Sequence, residues 1–231
     1  MLKKLINYFS PVERILWCAS TLIILVAFFA FDRANYLALS ASLIGTASLI
    51  FSAKGNPIGQ LLMLVFSVIY GIISYSFAYY GEMITYLGMT APMALFALIS
   101  WLRNPYEKGR AEVRVNRVKS AEMTFMLALS VIVTAAFYFV LDYFNTANIA
   151  LSTLSVTTSF VAVYLTFRRS HLFALAYAMN DLVLIGLWSI ASVQDSSYIS
   201  VLVCFVTFFV NDMYGFFSWL SMRKRQEKSR E

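Results

Sequence analysis

Long, uninterrupted apolar runs constrain the fold of this chain more than any other feature of its sequence. A helix needs roughly 17–25 residues to cross a bilayer core, and eight runs meet that requirement. Only 13% of the residues are charged, about half the share usual in a soluble domain. The runs are continuous rather than alternating, which favours helices over a β-barrel. We therefore predict an all-α polytopic membrane protein with transmembrane helices at 15–31, 36–53, 57–79, 82–102, 122–141, 148–167, 171–193 and 198–220.

The distribution of basic residues predicts the orientation of these helices. Of the 18 Lys and Arg residues, all but Arg33 fall in the N-terminal stretch, in every second connection or at the C-terminus. By the positive-inside rule both termini are then cytoplasmic, in a multi-pass protein of the cell membrane. Topology thus accounts for the basic loop at 103–121, and lipid recognition there is a lesser alternative. Nucleic acid is not an expected partner.

Short sequence matches indicate an internal duplication. Residues 34–40 resemble 147–152, and the Ser-Trp-Leu at 100–102 recurs at 218–220. These matches align segments two to four with segments six to eight, giving two parallel three-helix bundles, a linker helix and an extra first helix. Parallel repeats are one of the known transporter architectures. The predicted divisions are 1–33 (tail and extra helix), 34–102 (first bundle), 103–146 (basic cytoplasmic loop and linker helix), 147–222 (second bundle) and 223–231 (basic cytoplasmic tail).

Two carboxylates lie within predicted membrane helices, where a charge costs roughly 2.5–3.5 kcal/mol and so needs a reason. They are Asp181 in the seventh segment and Asp212 in the eighth. Aromatic and hydrogen-bonding residues recur beside each at helical spacing, a mixture typical of a site for a ring-plus-sugar solute. The predicted substrate-binding residues are Phe173, Tyr177, Asn180, Asp181, Trp188, Asn211, Asp212, Tyr214 and, in an outer vestibule, Tyr86.

The same polar residues allow other interpretations. Asn and Asp side chains can hydrogen-bond one membrane helix to another, as expected of a structural or receptor-like protein that transports nothing. The two aspartates could also act as acid and base in an intramembrane enzyme. However, the sequence shows no nucleophile–base pair, no phosphate-binding loop and no cluster of metal ligands. We therefore predict a transporter rather than an enzyme, with no cofactor and no metal.

Several of these features resemble the PnuC family of nicotinamide riboside transporters and their vitamin and nucleoside-transporting relatives. The resemblance covers about residues 34–225 and is clearest at Asn180, at the Tyr-Gly pair 214–215 and at Trp219, before the basic tail. It implies a fold similar to the SWEET sugar transporters and substrate binding by Asn180. Carriers of nicotinamide riboside tend to have a Trp-x-x-Trp motif before this Asn, whereas residues 173–176 here read Phe-Ala-Leu-Ala.

The resemblance also implies a function. The implied function is facilitated diffusion of a nucleoside-like vitamin by alternating access. Nicotinamide riboside is the first candidate solute, and a cytoplasmic kinase of NAD biosynthesis is expected to trap it. Because residues 173–176 lack both tryptophans of that motif and Asp181 adds an acid beside Asn180, a deoxynucleoside or thiamine is an alternative solute. For the extra first helix, packing on the core and association into a homo-oligomer both stay open.

Overall fold

The structure, a computed structural model, describes residues 8–76, 80–107, 109 and 111–229. Within these ranges the secondary structure is helical, with two isolated β-bridges, and eight helical spans are long and apolar enough to cross a membrane. This confirms the predicted fold class. The helices are α1 (Pro11–Phe31), α2 (Tyr36–Ala53), α3 (Ile58–Ser76), α4 (Tyr80–Ile84), α5 (Ala91–Leu102), α6 (Ser120–Tyr143), α7 (Ile149–Phe167), α8 (Phe173–Gln194) and α9 (Ile199–Lys228).

Helices α1 and α9 extend farthest past their predicted ends, each for a local reason. Helix α1 begins at Pro11 because Ser10 and Glu13 form a capping box, in which Ser10 N donates to Glu13 Oε2 at 2.7 Å. Helix α9 continues through the predicted basic tail to Lys228, where Arg223 and Glu227 pair one turn apart at 2.9 Å. The predicted boundary after residue 222 therefore lies inside a helix. The end of the predicted third segment, 77–79, lies outside the described residues.

The fourth span is interrupted by a π-helix at Thr85–Thr90, between α4 and α5. The wider turn precedes Pro92, which has no N–H group to continue an α-helical ladder. Thr90 Oγ1 donates to Thr85 O at 3.3 Å and satisfies one carbonyl within the turn. Such turns are rare and often lie at functional sites, and this one carries Tyr86.

Helix packing is similar in the two halves of the chain. Helices α2, α3 and α5, with the π-helix, form one group, and α7, α8 and α9 form the other. Between the groups, α9 packs on α2 and α5 packs on α7, so the third helix of each contacts the first helix of the other. Helix α6 packs mainly on α7. We infer from this arrangement that the two groups are related by duplication.

Matched hydrogen bonds at the two contacts between the groups support this inference. Trp101 Nε1 donates to Thr166 O at 2.9 Å, and Trp219 Nε1 donates to Ser52 O at 2.8 Å. Each indole thus ties the end of a third helix to the end of the first helix of the other group. The serine before each tryptophan makes a matching bond. Ser100 Oγ donates to Phe167 O at 2.9 Å, and Ser218 Oγ donates to Ala53 O at 2.8 Å.

The extra first helix packs on the core, against α2 and α9. Glu13 is 3% exposed and pairs with Lys54 at 3.1 Å, while the Tyr214 hydroxyl donates to its other oxygen at 3.3 Å. Farther along, Asn211 Nδ2 donates to Ser20 Oγ at 2.8 Å. Polar contacts at two levels therefore fix α1 against both groups of helices.

Helices α2 and α3 cross closely at Gly59, which gives a test of the fold. Ser48 Oγ donates to Gly59 O at 2.8 Å, and a Cβ on Gly59 would lie 2.6 Å from Ser52 N. Backbone atoms cannot yield as a flexible side chain can, so we expect Gly59→Ala to destabilise the protein by about 1–3 kcal/mol. Thermal unfolding in detergent, followed by circular dichroism, measures this as a lower midpoint.

Gly186→Ala is the matched control for that substitution. A Cβ at Gly186 meets no atom within 4 Å, and alanine favours the helix by about 0.5–1 kcal/mol over glycine. Its unfolding midpoint is expected to stay level or rise. Equal midpoints for the two variants would contradict the close crossing of α2 and α3.

Candidate functional site

Two cavities open at one end of the helix bundle. Basic residues such as Arg114, Arg169 and Arg223 lie at the other end of the bundle, which we name the basic end. The end at which the two cavities open is named the opposite end. The cavities have volumes of about 420 and 260 Å³ and share Glu82, Trp188 and Tyr198 in their walls. The larger lies against α2, α3 and α8, and the smaller lies against the 144–148 turn and α8. Together they form an entrance between the two groups of helices.

The entrance is acidic. Its lining residues in the described part of the chain include Asp32, Glu82 and Asp195 but no Lys or Arg. Hydrogen bonds from Ser197 hold the pKa of Asp195 below its usual value, so this rim carboxylate is ionised at neutral pH. Glu82 faces the hydroxyls of Tyr70 and Ser74. A cation is therefore attracted to this entrance and an anion is repelled.

Aromatic rings continue inward from Glu82. Tyr70 and Tyr86 approach to 4.4 Å between ring centroids, and Trp188 lies 5.3 Å from Tyr198. A narrow cavity of about 30 Å³ extends past Glu82 and Tyr86 to Ser159 on α7. Flat aromatic faces beside carboxylates suit a planar, positively charged ring.

Asn180 lies at the inner end of this path, in the middle of α8, and is 6% exposed. Its Oδ1 accepts hydrogen bonds from Thr158 Oγ1 at 2.8 Å and from Ser159 Oγ at 2.9 Å. The two hydroxyls fix the amide so that its NH₂ group, which has no acceptor among the described residues, is free to donate to a ligand. This arrangement suits a sugar hydroxyl or an amide oxygen.

Asp181 and Asp212 form a buried carboxyl pair between α8 and α9. They are 3% and 4% exposed and face each other within hydrogen-bonding reach. Two carboxyls share a hydrogen bond only when at least one holds a proton, so the pair carries at most one negative charge. Asp181 Oδ2 has no hydrogen-bond donor among the described residues. Tyr177, one turn before Asp181, lies beside both acids.

A cluster of aromatic rings closes the basic end. Phe173 lies 4.8 Å from Trp219 and 6.0 Å from Trp101, and the two indoles are 5.3 Å apart. Both indoles are almost completely buried, at 1% and 0% exposed. The structure is therefore open at the opposite end and closed at the basic end.

The comparisons with known proteins agree with this architecture. A family model described as "Nicotinamide mononucleotide transporter" matches residues 35–221. The chain belongs to this family. It is 27% identical over 214 residues to the protein named nicotinamide riboside transporter PnuC of Neisseria mucosa, covering 90% of this chain and 81% of that protein. The predicted family is thus confirmed, and with it a transporter rather than an enzyme.

A solved structure shows that the fold of the family applies to this chain. The crystal structure of the vitamin B3 transporter PnuC superposes with a TM-score of 0.81 at 23% identity, over 94% of both chains. The helical fold is therefore shared along nearly the whole length of the two proteins.

Within this family fold, the predicted site residues fall into four places. Tyr177, Asn180, Asp181 and Asp212 come together at the centre, and Tyr86 borders them from the π-helix. Trp188 lies at the entrance. Phe173 belongs to the closed aromatic cluster. The structure does not bring Asn211 and Tyr214 to the centre, because their side chains bond to Ser20 and Glu13 on α1.

Several site residues were not predicted from the sequence. Glu82, Tyr70 and Tyr198 line the entrance, and Thr158 and Ser159 orient Asn180. The available signal for Thr158 and Ser159 was the run of Ser and Thr in α7.

Proposed function

We propose that this protein carries nicotinamide riboside across the cell membrane. The observation that carries the proposal is the path of acidic and aromatic residues that leads from the entrance toward Asn180. Among the described residues, no Lys or Arg lines this path. Nicotinamide riboside has a positively charged pyridinium ring and no phosphate, so it suits this path. The mononucleotide in the description of the family carries a phosphate, which the rim carboxylates Asp32 and Asp195 would repel.

Each part of this solute has a complementary group on the path. The pyridinium ring fits the faces of Tyr70 and Tyr86, where cation–π attraction adds to stacking. The amide of Asn180 suits a ribose hydroxyl or the carboxamide. A negative charge on the pair Asp181 and Asp212 would compensate the charge of the ring in a medium where an isolated cation is costly.

Transport then requires the closed end to open. In the proposed cycle the opposite end faces outward, the basic end and both termini face the cytoplasm, and the two groups of helices rock about the central site. The matched bonds of Trp101 and Trp219 break as the basic end opens. Facilitated diffusion only equilibrates the solute, so accumulation depends on a cytoplasmic kinase that phosphorylates it.

Thiamine is a second candidate solute, because its thiazolium ring is also a flat cation and the entrance is acidic. A deoxynucleoside has rings of similar size but no fixed charge. It would gain from the aromatic faces and from Asn180, but not from the carboxylates.

Uptake into proteoliposomes separates these solutes. We expect purified protein to give saturable uptake of radiolabelled nicotinamide riboside, with thiamine competing better than an uncharged deoxynucleoside. Liposomes without protein are the control, and nicotinamide mononucleotide should compete least because of its phosphate. Stronger competition by the mononucleotide than by the riboside would contradict the proposal.

A further inference from the structure

A separate cavity of about 510 Å³ lies at the basic end, outside the helix bundle. Its walls come from the loop between α5 and α6, the turn between α7 and α8, and the final turns of α9. The side chains that give it its character are Arg114, Arg117, Arg169, Arg223, Gln226 and Glu227.

Positive charge in this cavity exceeds negative charge. Four guanidinium groups face one carboxylate, which leaves a formal charge of +3. Glu227 Oε1 accepts hydrogen bonds from Arg117 Nε at 2.7 Å and from Arg223 Nε at 2.9 Å, so this one carboxylate forms ion pairs with two arginines. Arg114 and Arg169 have no carboxylate within ion-pair distance among the described residues.

Neutral groups hold Arg169 in place. It follows the end of α7 with φ of 55°, a position usually taken by Gly or Asn. Its Nη1 donates to Ser100 Oγ at 2.6 Å, and its Nε donates to Arg114 O at 3.3 Å. Burial, with Arg168 and Arg114 nearby, lowers the pKa of Arg169 from its usual value. A nearby anion would relieve this repulsion.

The remaining walls are also fixed. Arg223 Nη1 donates to His171 Nε2 at 2.9 Å. The loop is held against α9 by Gln226, which is 2% exposed, accepts from Val115 N at 2.9 Å and donates to Val113 O at 3.0 Å. The arginines therefore converge on a preformed cavity rather than on a mobile loop.

Membrane topology does not account for this convergence. The positive-inside rule requires basic residues near helix ends, but it does not require them to share one cavity at a cost in mutual repulsion. Guanidinium groups present paired donors that match the oxygens of phosphate.

We propose that this cavity binds a phosphate-bearing anion, through Arg114, Arg169 and Arg223. The bound anion would bridge the α5–α6 loop, the α7–α8 turn and α9. This site lies at the basic end, away from the entrance, and the proposal does not depend on the identity of the transported solute.

Calorimetric titration with pyrophosphate tests the site. The protein is placed in nanodiscs of phosphatidylcholine, where we expect saturable binding. Arg169→Gln and Arg223→Gln should each weaken it at least about tenfold, because each removes a charged, paired donor. The control is Arg103→Gln, which removes one exposed charge at the same end and should leave the affinity within about twofold.

A second arm uses nanodiscs that also contain phosphatidylglycerol. Unchanged pyrophosphate affinity there supports a site for a soluble phosphate compound. Loss of pyrophosphate binding in these discs supports the same site filled by a lipid headgroup. Two results overturn the proposal: no saturable binding in phosphatidylcholine discs, or equal affinity in the wild type and both variants.

Discussion

Asn180→Ala is expected to lower the kcat/KM for uptake of nicotinamide riboside about 10- to 100-fold. The substitution removes the amide that the solute would bond, and it leaves the hydroxyl of Ser159 without its acceptor. A lost hydrogen bond with a buried partner left unsatisfied costs about 1–3 kcal/mol, which corresponds to that range. Initial uptake rates into proteoliposomes, over a range of solute concentrations, measure the change.

Asn211→Ala is the matched control, because it removes the same side chain one helix away. Asn211 is 1% exposed and donates to Ser20 Oγ and to Thr207 O, at 2.8 and 2.7 Å. We expect this variant to unfold at a lower temperature but to keep its KM for the solute. The opposite pattern, with KM raised by Asn211→Ala and not by Asn180→Ala, would place the site on the α1 side of α9.

The contrast between Asn211 and Asp212 shows what the sequence could not reveal. Adjacent helical residues point about 100° apart, so only one of the two can face α8. Both carried the same functional interpretation because each is polar within an apolar run. The partner helix decides between them, and α1 covers the face of Asn211. Sequence spacing gives no information about that covering helix.

The predicted face of α8 shows a different limit. Helical spacing places the predicted residues of this helix, from Phe173 through Asn180 to Trp188, along related faces, but it does not distinguish their depth in the membrane. From Phe173 to Trp188 the helix rises roughly 22 Å, at about 1.5 Å per residue. The predicted residues of α8 therefore lie in three layers: the closed cluster, the central site and the entrance.

The apolar runs predicted the spans well because the bilayer demands length and hydropathy, whichever neighbours surround a helix. Glu82 was harder to place because it lies near a predicted helix end, where a solvated side chain is ordinary. The π-helix at Thr85–Thr90 then changes the register of the fourth span. Periodicity counted from an ideal α-helix therefore fails beyond this turn, whereas Glu82 and Tyr86, four residues apart, are expected on one face and do line one path.

Trp219→Ala is expected to open the basic end. Trp219 is fully buried, bonds to Ser52 O at 2.8 Å and packs on Trp101 and Phe173. Truncating a buried Trp costs about 3–5 kcal/mol. In the proposed cycle these contacts exist only while the basic end is closed, so the substitution raises the free energy of the closed state. The equilibrium should then shift toward the open form by about 100-fold or more.

Labelling of a single cysteine measures this shift. After Cys18 and Cys204 are replaced by Ala, Ala174→Cys places a thiol beside the cluster, at a position 1% exposed. A membrane-impermeant maleimide added at the basic end should label it at least about tenfold faster in Trp219→Ala, because the thiol is reached only when that end opens.

Trp17→Ala supplies the comparison that makes this labelling informative. Trp17 lies on α1 and packs on Phe9 and Phe51, outside the closed cluster. Its loss removes an indole of equal size without separating α9 from α2, so the labelling rate of the thiol should stay near that of the parent protein. Equal rates in all three proteins would mean that the aromatic cluster does not hold the basic end closed. Faster labelling in Trp219→Ala alone would instead tie the duplicated Ser-Trp pairs to gating, since Trp101 makes the same bond in the other half of the chain.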